Sequence, residues 1–324
     1  MKLIHLTLLS LLLVCSCNES AKRDTSFLPK SLGKINTLQV IIPNELWNNS
    51  VGEEIRNYFA APTAGLPQDE PLFSMIQMPP ETYTGFARKY RLVLHLSIGA
   101  EDKVTIVQDT FSKPQTGAFI TAKTKEGLIE LVQANQVKII EAFRASEITE
   151  RQRRTSVSLM KLDSLKKDMG VTLKIPSAYH IAKATDSFYW IRKELKSGST
   201  NIIIYEVPLE TIHRDSTQVT DIIRMRDSIG GKHLPTEDDG RFITEAAYTP
   251  YLFKAEINGK QAYETKGTWE VKGEFQAGPF VNYAVRDEAN NRYLILEGFT
   301  YAPSASKRDL QFELESILKS AVLY

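Results

Sequence analysis

Short apolar runs closed by proline or glycine set the pattern of the first third of the chain. Residues 37–42, Thr-Leu-Gln-Val-Ile-Ile, stop at Pro43 and have the continuous apolar character of a buried strand. Leu46, Val51, Ile55, Tyr58 and Phe59 then recur at helical spacing, which predicts a helix over 45–60. Residues 61–71, rich in proline, predict a loop. Strands are predicted over 73–78, 91–98, 104–111 and 118–121, the second and third joined by a turn at Gly99-Ala100-Glu101-Asp102. From 125 to 169 the period becomes helical. Leu128, Leu131, Val132, Ile139, Ile140 and Phe143 repeat on one face, as do Val157, Met160, Leu165 and Met169, and Gly170 is the stop. The charged stretch 147–155 marks where this long element bends or divides.

The second half echoes the first. Val171-Thr-Leu-Lys-Ile-Pro176 resembles Leu38-Gln-Val-Ile-Ile-Pro43, and predicts a strand followed by a helix from Ser177. Strands are predicted over 188–194 and 201–207, and a helix over 216–229 ended by Gly230-Gly231. Asn258-Gly259 between residues 251–257 and 260–266 is the dipeptide of a type I′ hairpin. A second hairpin pairs 280–286 with 293–301, turning near Asn290-Asn291. Leu310, Leu314, Ile317, Leu318 and Ala321 predict a closing amphipathic helix over 307–323. The expected fold class is α+β: mainly antiparallel sheets with helices packed on one face, in two related halves, 35–169 and 170–324, joined by the long helix.

The N-terminus adds an address. Lys2, an apolar run over 3–14 and then Cys15-Ser16-Cys17 have the layout of a bacterial lipoprotein signal, with cleavage after Ser16 and lipid on Cys17. The run is too short to span a bilayer, which needs ~20 apolar residues. Residues 1–16 are the expected signal peptide. Residues 17–34, polar and turn-rich, are the expected lipidated tether. Asn18 after Cys17 gives no inner-membrane retention cue. The expected location is the periplasmic face of the outer membrane.

Composition then narrows the chemistry. Cys15 and Cys17 are the 2 cysteines of the chain, so a lipidated Cys17 leaves the folded part without a thiol for a disulfide, a zinc-thiolate site or a nucleophile. The balance of 40 Lys+Arg against 39 Asp+Glu sets up no global field for nucleic acid. The basic run Arg151-Gln152-Arg153-Arg154 reads as a solvated helix face. His95, His180, His213 and His233 show no metal-ligand spacing, and no metal or cofactor is expected. No nucleophile elbow or phosphate-binding glycine loop is present, and Glu237-Asp238-Asp239-Gly240 lacks the ligand alternation of a calcium loop.

Gly267-Thr-Trp-Glu-Val-Lys-Gly-Glu-Phe-Gln-Ala-Gly-Pro-Phe280, Glu297-Gly-Phe-Thr-Tyr-Ala-Pro303 and Leu314-Glu-Ser-Ile-Leu318 resemble a family of Bacteroidota lipoproteins of unknown function (domain of unknown function four-eight-three-seven). The resemblance implies a lipid-anchored envelope protein and brings no activity or catalytic residue with it. Two readings stand for its most distinctive stretch. Trp269, Phe275 and Phe280 are core aromatics shaped by glycines, or Trp269, Glu274, Phe275 and Phe280 present an aromatic edge to a partner. Asp163-Ser-Leu, Asp215-Ser-Thr and Asp227-Ser-Ile match a short O-glycosylation pattern, with Ser216 the expected acceptor.

These readings lead to a non-enzymatic binding or assembly module, anchored to the membrane by its lipid, with an envelope protein or glycan as partner. The alternative is an envelope hydrolase acting on glycan or peptidoglycan fragments through two carboxylates ~5–10 Å apart in a cleft.

Overall fold

The computed structural model describes residues 26–236 and 239–324, so the signal segment and Cys17 lie outside the described residues. Five strands form the N-terminal sheet: β1 (Thr37–Ile41), β2 (Ser74–Met78), β3 (Leu92–Ile98), β4 (Lys103–Gln108) and β5 (Thr116–Ala122). Their order is β2-β1-β3-β5-β4. The pairs β1 with β2, β1 with β3 and β3 with β5 are parallel, and β4 alone runs antiparallel to its neighbour β5. Parallel pairing needs a crossover. Here helices α1 (Asn44–Trp47) and α2 (Ser50–Phe59) separate β1 from β2. One face of the sheet packs Val40, Leu94 and Ile120 against Ile55 and Phe59 of α2 and against Leu128, Val132 and Phe143 of α3 (Lys125–Thr155). Ile41, Val93 and Tyr83 form a smaller cluster.

The C-terminal half is built on an antiparallel sheet. Its strands are β7 (His180–Thr185), β8 (Phe188–Leu195), β9 (Gly198–Pro208), β10 (Arg241–Thr244), β11 (Tyr251–Ile257), β12 (Lys260–Lys272), β13 (Ala277–Asp287) and β14 (Arg292–Tyr301). The order is β10-β12-β13-β14-β9-β8-β7, with β11 also on β12. Its helices are α4 (Asp163–Met169), α5 (Gln218–His233) and α6 (Arg308–Leu318). Alternation along the strands sends Tyr189, Ile202, Tyr283 and Leu296 toward α4 and α6, and Phe188, Ile203, Phe280 and Ile295 toward α5. The Asn258-Gly259 turn has both residues at positive φ, 52° and 74°, as a type I′ hairpin requires.

The α+β class with mainly antiparallel strands holds for the chain as a whole. The parallel centre of the first sheet departs from the antiparallel pairing expected of both halves, because continuous apolar strands leave direction undefined. The two halves are not copies. β1 is central in its sheet, whereas Val171–Thr172, the β6 strand, pairs only with the terminal β15 (Val322–Leu323). The helix expected from Ser177 is absent, and a turn there leads into β7.

The long helix ends at Thr155, and α4 follows as a separate element whose Leu165 and Met169 join the C-terminal core. Residues 29–34, assigned to the tether, are docked instead. Ser31 N donates to Lys113 O at 3.1 Å, Leu32 N donates to Lys89 O at 2.8 Å, and Arg91 donates to the Gly33 and Lys34 carbonyls. Helix α5 runs past Gly230-Gly231 to His233. The missing side chain at Gly230 lets Phe242 approach, since a Cβ there would stand 2.5 Å from the ring.

The charged segment of α3 is a joint between the halves. Glu147 is buried and accepts from the Arg91 guanidinium and from Asn36 N. Arg151 pairs with Glu313, and Gln152 Nε2 donates to Ser316 O at 2.9 Å. The run read as a solvated face is thus half engaged with α6. From the other side Glu70 accepts from Lys307 N at 2.6 Å and Arg308 N at 3.0 Å. It caps the N-terminus of α6 with a carboxylate from the opposite half.

Candidate functional site

Helix α5 covers the middle of one face of the antiparallel sheet and leaves both ends of that face open. Beyond its C-terminus, Leu234-Pro235-Thr236 and the ends of β8, β9, β12 and β14 enclose a groove of about 400 Å³. Alternation aims Trp190 and Arg192, Ser199 and Asn201, Trp269 and Val271, and Phe299 and Tyr301 into it, two from each strand. Phe242 of β10 and Gln276 complete the lining.

The aromatic rings support one another. Phe242 stacks on Trp269 at 4.9 Å between centroids, Phe299 meets Trp269 edge-on at 5.6 Å, and Tyr301 lies 6.4 Å from Trp269. The polar groups are ordered along β9. Trp190 Nε1 donates to Asn201 Oδ1 at 3.0 Å, and Asn201 Nδ2 donates to Ser199 Oγ at 3.0 Å. Trp269 Nε1 is different: it is buried and has no hydrogen-bond partner among the described residues. An unsatisfied buried donor has a cost that a neighbouring acceptor removes. Gly278, opposite Trp269 in register, leaves room for the indole, since a Cβ there would stand 3.2 Å from Nε1 and 2.0 Å from Thr300 O.

Deeper under α5, Arg226 holds Glu297 through two hydrogen bonds of 2.8 and 2.7 Å and lies flat on Phe280, 3.3 Å from the ring centroid. Asn282 Nδ2 donates to the same carboxylate at 2.8 Å. This buried set fixes α5 to the sheet and so fixes the position of the groove. Burial raises the Tyr205 hydroxyl beside it well above the ordinary tyrosine range.

The four residues proposed as one aromatic edge are not brought together. Trp269 is 2% exposed and Phe280 1%, both in the core, while Phe275 is fully exposed at the tip of the β12–β13 turn. Glu274 accepts from Gln276 at 2.9 Å within that turn. The core reading is correct for Trp269 and Phe280, and Trp269 reaches the groove from the core side. Sequence reasoning missed Trp190, Asn201, Phe242, Phe299 and Tyr301, which come from four strands. The available signal was the alternation of Trp190 with Arg192 and of Phe299 with Tyr301 at strand ends.

Ser216 stands exposed in the turn before α5, where Asp215 Oδ1 accepts from Thr217 N and Oγ1. His95 packs on Phe119 at 5.5 Å, and burial lowers its pKa. Among the described residues no group of three His, Cys, Asp or Glu is placed to hold a metal ion. No helix among them is long and apolar enough to cross a membrane. The buried carboxylates Glu147, Glu150, Asp221, Asp287, Glu297, Glu313 and Glu315 are each bound to arginine or lysine. None of them lines the groove, whose described lining carries no acid.

No curated protein matches this chain. Among solved structures, a crystal structure from Bacteroides thetaiotaomicron VPI-5482 is similar at 11% identity and TM-score 0.28, covering 48% of this chain and 46% of that one. The match therefore spans less than half the length of that protein. The cyanobacterial PsbP (CyanoP) of Synechocystis sp. PCC 6803 is similar at 13% identity and TM-score 0.32, covering 49% of this chain and 88% of that one. LpqN of Mycobacterium tuberculosis, described as involved in cell envelope biogenesis, is similar at 10% identity and TM-score 0.29, covering 47% and 82%. Residues 31–156 match a family model described as a domain of unknown function (DUF8532), and residues 158–320 match another described as a domain of unknown function (DUF4837). The second match spans half of the chain, which thus belongs to the DUF4837 family, as its C-terminal motifs indicated.

Proposed function

We infer that this protein is a lipid-anchored envelope module that binds an uncharged, polyhydroxylated ligand, a saccharide chain, in the aromatic groove. The observation that carries the reading is a groove of about 400 Å³ lined by Trp190, Phe242, Trp269, Phe299 and Tyr301 beside the polar Ser199, Asn201 and Gln276. Aromatic faces take up the apolar C–H faces of a sugar, and a few fixed amides and N–H groups orient its hydroxyls. Asn201, Gln276 and Arg192 line the groove and supply such groups here. A lining without a carboxylate among the described residues favours binding over carboxylate-driven cleavage. The lipid on Cys17 would hold the module at the periplasmic face of the outer membrane.

Two measurements test this. Neutral N-acetylglucosamine oligomers titrated into the mature protein are expected to change tryptophan fluorescence saturably, with Trp190→Ala and Asn201→Ala each weakening binding about ten-fold. Parental affinity in both variants, or no binding of any oligomer, removes the groove as the site. Intact mass of the membrane-extracted protein is expected to show Cys17 with acyl chains as the N-terminal residue. An unmodified Cys17 removes the anchor.

A further inference from the structure

The opposite end of the same sheet face, beyond the N-terminus of α5, holds a second cavity of about 190 Å³ lined by Arg214, Lys254, Gln261, Tyr263, Arg286 and Tyr293 among others. Strand register explains the assembly. Arg286 and Tyr293 are cross-strand partners on β13 and β14, Lys254 and Tyr263 on β11 and β12, and Gln261 lies two residues from Tyr263 on the same face of β12. Arg214 reaches in from the segment before α5 and donates toward Gln261 Oε1 at 3.5 Å. Three cations from three separate elements thus face one cavity whose described lining contains no acid. Among the described residues neither Arg214 nor Lys254 forms an ion pair, in a chain whose overall charge is close to balanced. Arg286 is anchored at the rim, donating to Glu288 at 2.7 Å and to Tyr293 Oη at 3.2 Å. The exposed Glu256 stands opposite Gln261 on β11, outside the lining. An adjoining depression continues to Lys260 and Glu288.

We propose that this cavity binds a phosphoryl group. Glu288 at the rim pairs with Arg286 and lies in the field of Arg214, so one acid answers two of the three cations and the excess positive charge around the concave surface favours a further anion. Guanidinium forks match the paired oxygens of an oxyanion, and an ammonium adds a point charge. Convergence from β11, β13 and the pre-α5 segment suits the tetrahedral oxygens of a phosphate better than the flat pair of a carboxylate. The phosphoryl group is either that of a small soluble phosphate or that of a lipid headgroup.

Calorimetry on the intact mature protein tests the proposal, with inorganic phosphate in one arm and short-chain phosphatidylglycerol in the other. Saturable binding of phosphate that weakens at least ten-fold in the double variant Arg214→Gln with Lys254→Gln supports the site with a soluble source. Binding of phosphatidylglycerol alone, weakened in the same way, supports the site with a headgroup source. Binding of neither probe, or equal binding by the variant and the parent, overturns it. Both substituted side chains are exposed, and an unchanged melting temperature confirms that the variant is folded. Failure here leaves saccharide binding at the other end of α5 untouched, so the two readings fall separately.

Discussion

Arg144 of α3 and Glu315 of α6 meet across the boundary of the two halves, the guanidinium donating to both carboxylate oxygens at 2.8 and 2.7 Å. Lys266 at 3.2 Å and Lys319 at 3.0 Å complete the cage around Glu315. One carboxylate therefore draws together cations from α3, from β12 and from the residue after α6. Breaking a buried pair costs about 3–5 kcal/mol because the remaining charges stay buried. Glu315→Gln is expected to lose stability in that range in denaturant unfolding, and Arg144→Gln less, because two lysines still serve Glu315. Equal losses, or a loss for Glu315→Gln below ~1 kcal/mol, would show that the halves are not held at this point.

The same charges set an acid limit. Burial pushes the Glu315 carboxyl up, but Arg144, Lys266 and Lys319 pull it well below the usual carboxylate range. Glu150 is likewise raised by burial, yet Arg153 and Arg154 bring it down to about 2. A carboxylate with a depressed folded-state pKa contributes stability that is present above its unfolded value of 4.5 and is lost as pH falls toward its folded value. Urea midpoints are expected to be level above about pH 5.5 and to fall steadily from 4.5 toward 2, less steeply in Glu150→Gln. A midpoint that rises on acidification would contradict the assignment.

Gly198 controls the groove from outside its lining. Its φ is +122°, and a Cβ there would stand 1.9 Å from the Tyr301 carbonyl oxygen. Both the backbone conformation and the space exclude a side chain. Gly198→Ala is expected to cost at least about 2 kcal/mol and to displace Tyr301, weakening saccharide binding as well. A variant of parental stability would mean that the β8–β9 turn adjusts freely.

Local pattern made much of this fold legible. The Asn258-Gly259 hairpin, the 280–301 hairpin and the closing helix were readable because turn chemistry and periodicity act within about ten residues. Parallel pairing of β1 with β3 was not, since continuous apolar strands carry no direction. Nor was the burial of Glu147. A carboxylate in a charged run looks solvated until Arg91, from a distant strand, is placed beside it. The groove was the least legible part. Trp190, Phe242, Trp269 and Phe299 stand on four strands whose order is set by long-range register. Glycines beside aromatics drew attention to the right stretch, but through Trp269 and not through the exposed loop.

Phe275 and Trp269 separate those two readings experimentally. Phe275 is fully exposed at the turn tip, so Phe275→Ser removes no packing and is expected to change stability by no more than ~0.5 kcal/mol. Trp269 stacks on Phe242 and carries the unpartnered donor, so Trp269→Phe loses packing and the N–H together. A large-to-small core change of this kind is expected to cost on the order of 1–3 kcal/mol, below the 3–5 typical of Trp→Ala. Trp269→Phe is also expected to bind saccharide fragments less tightly, whereas Phe275→Ser keeps the parental affinity. If Phe275→Ser abolished binding and Trp269→Phe did not, the ligand would be held by the exposed turn and the groove assignment would be wrong.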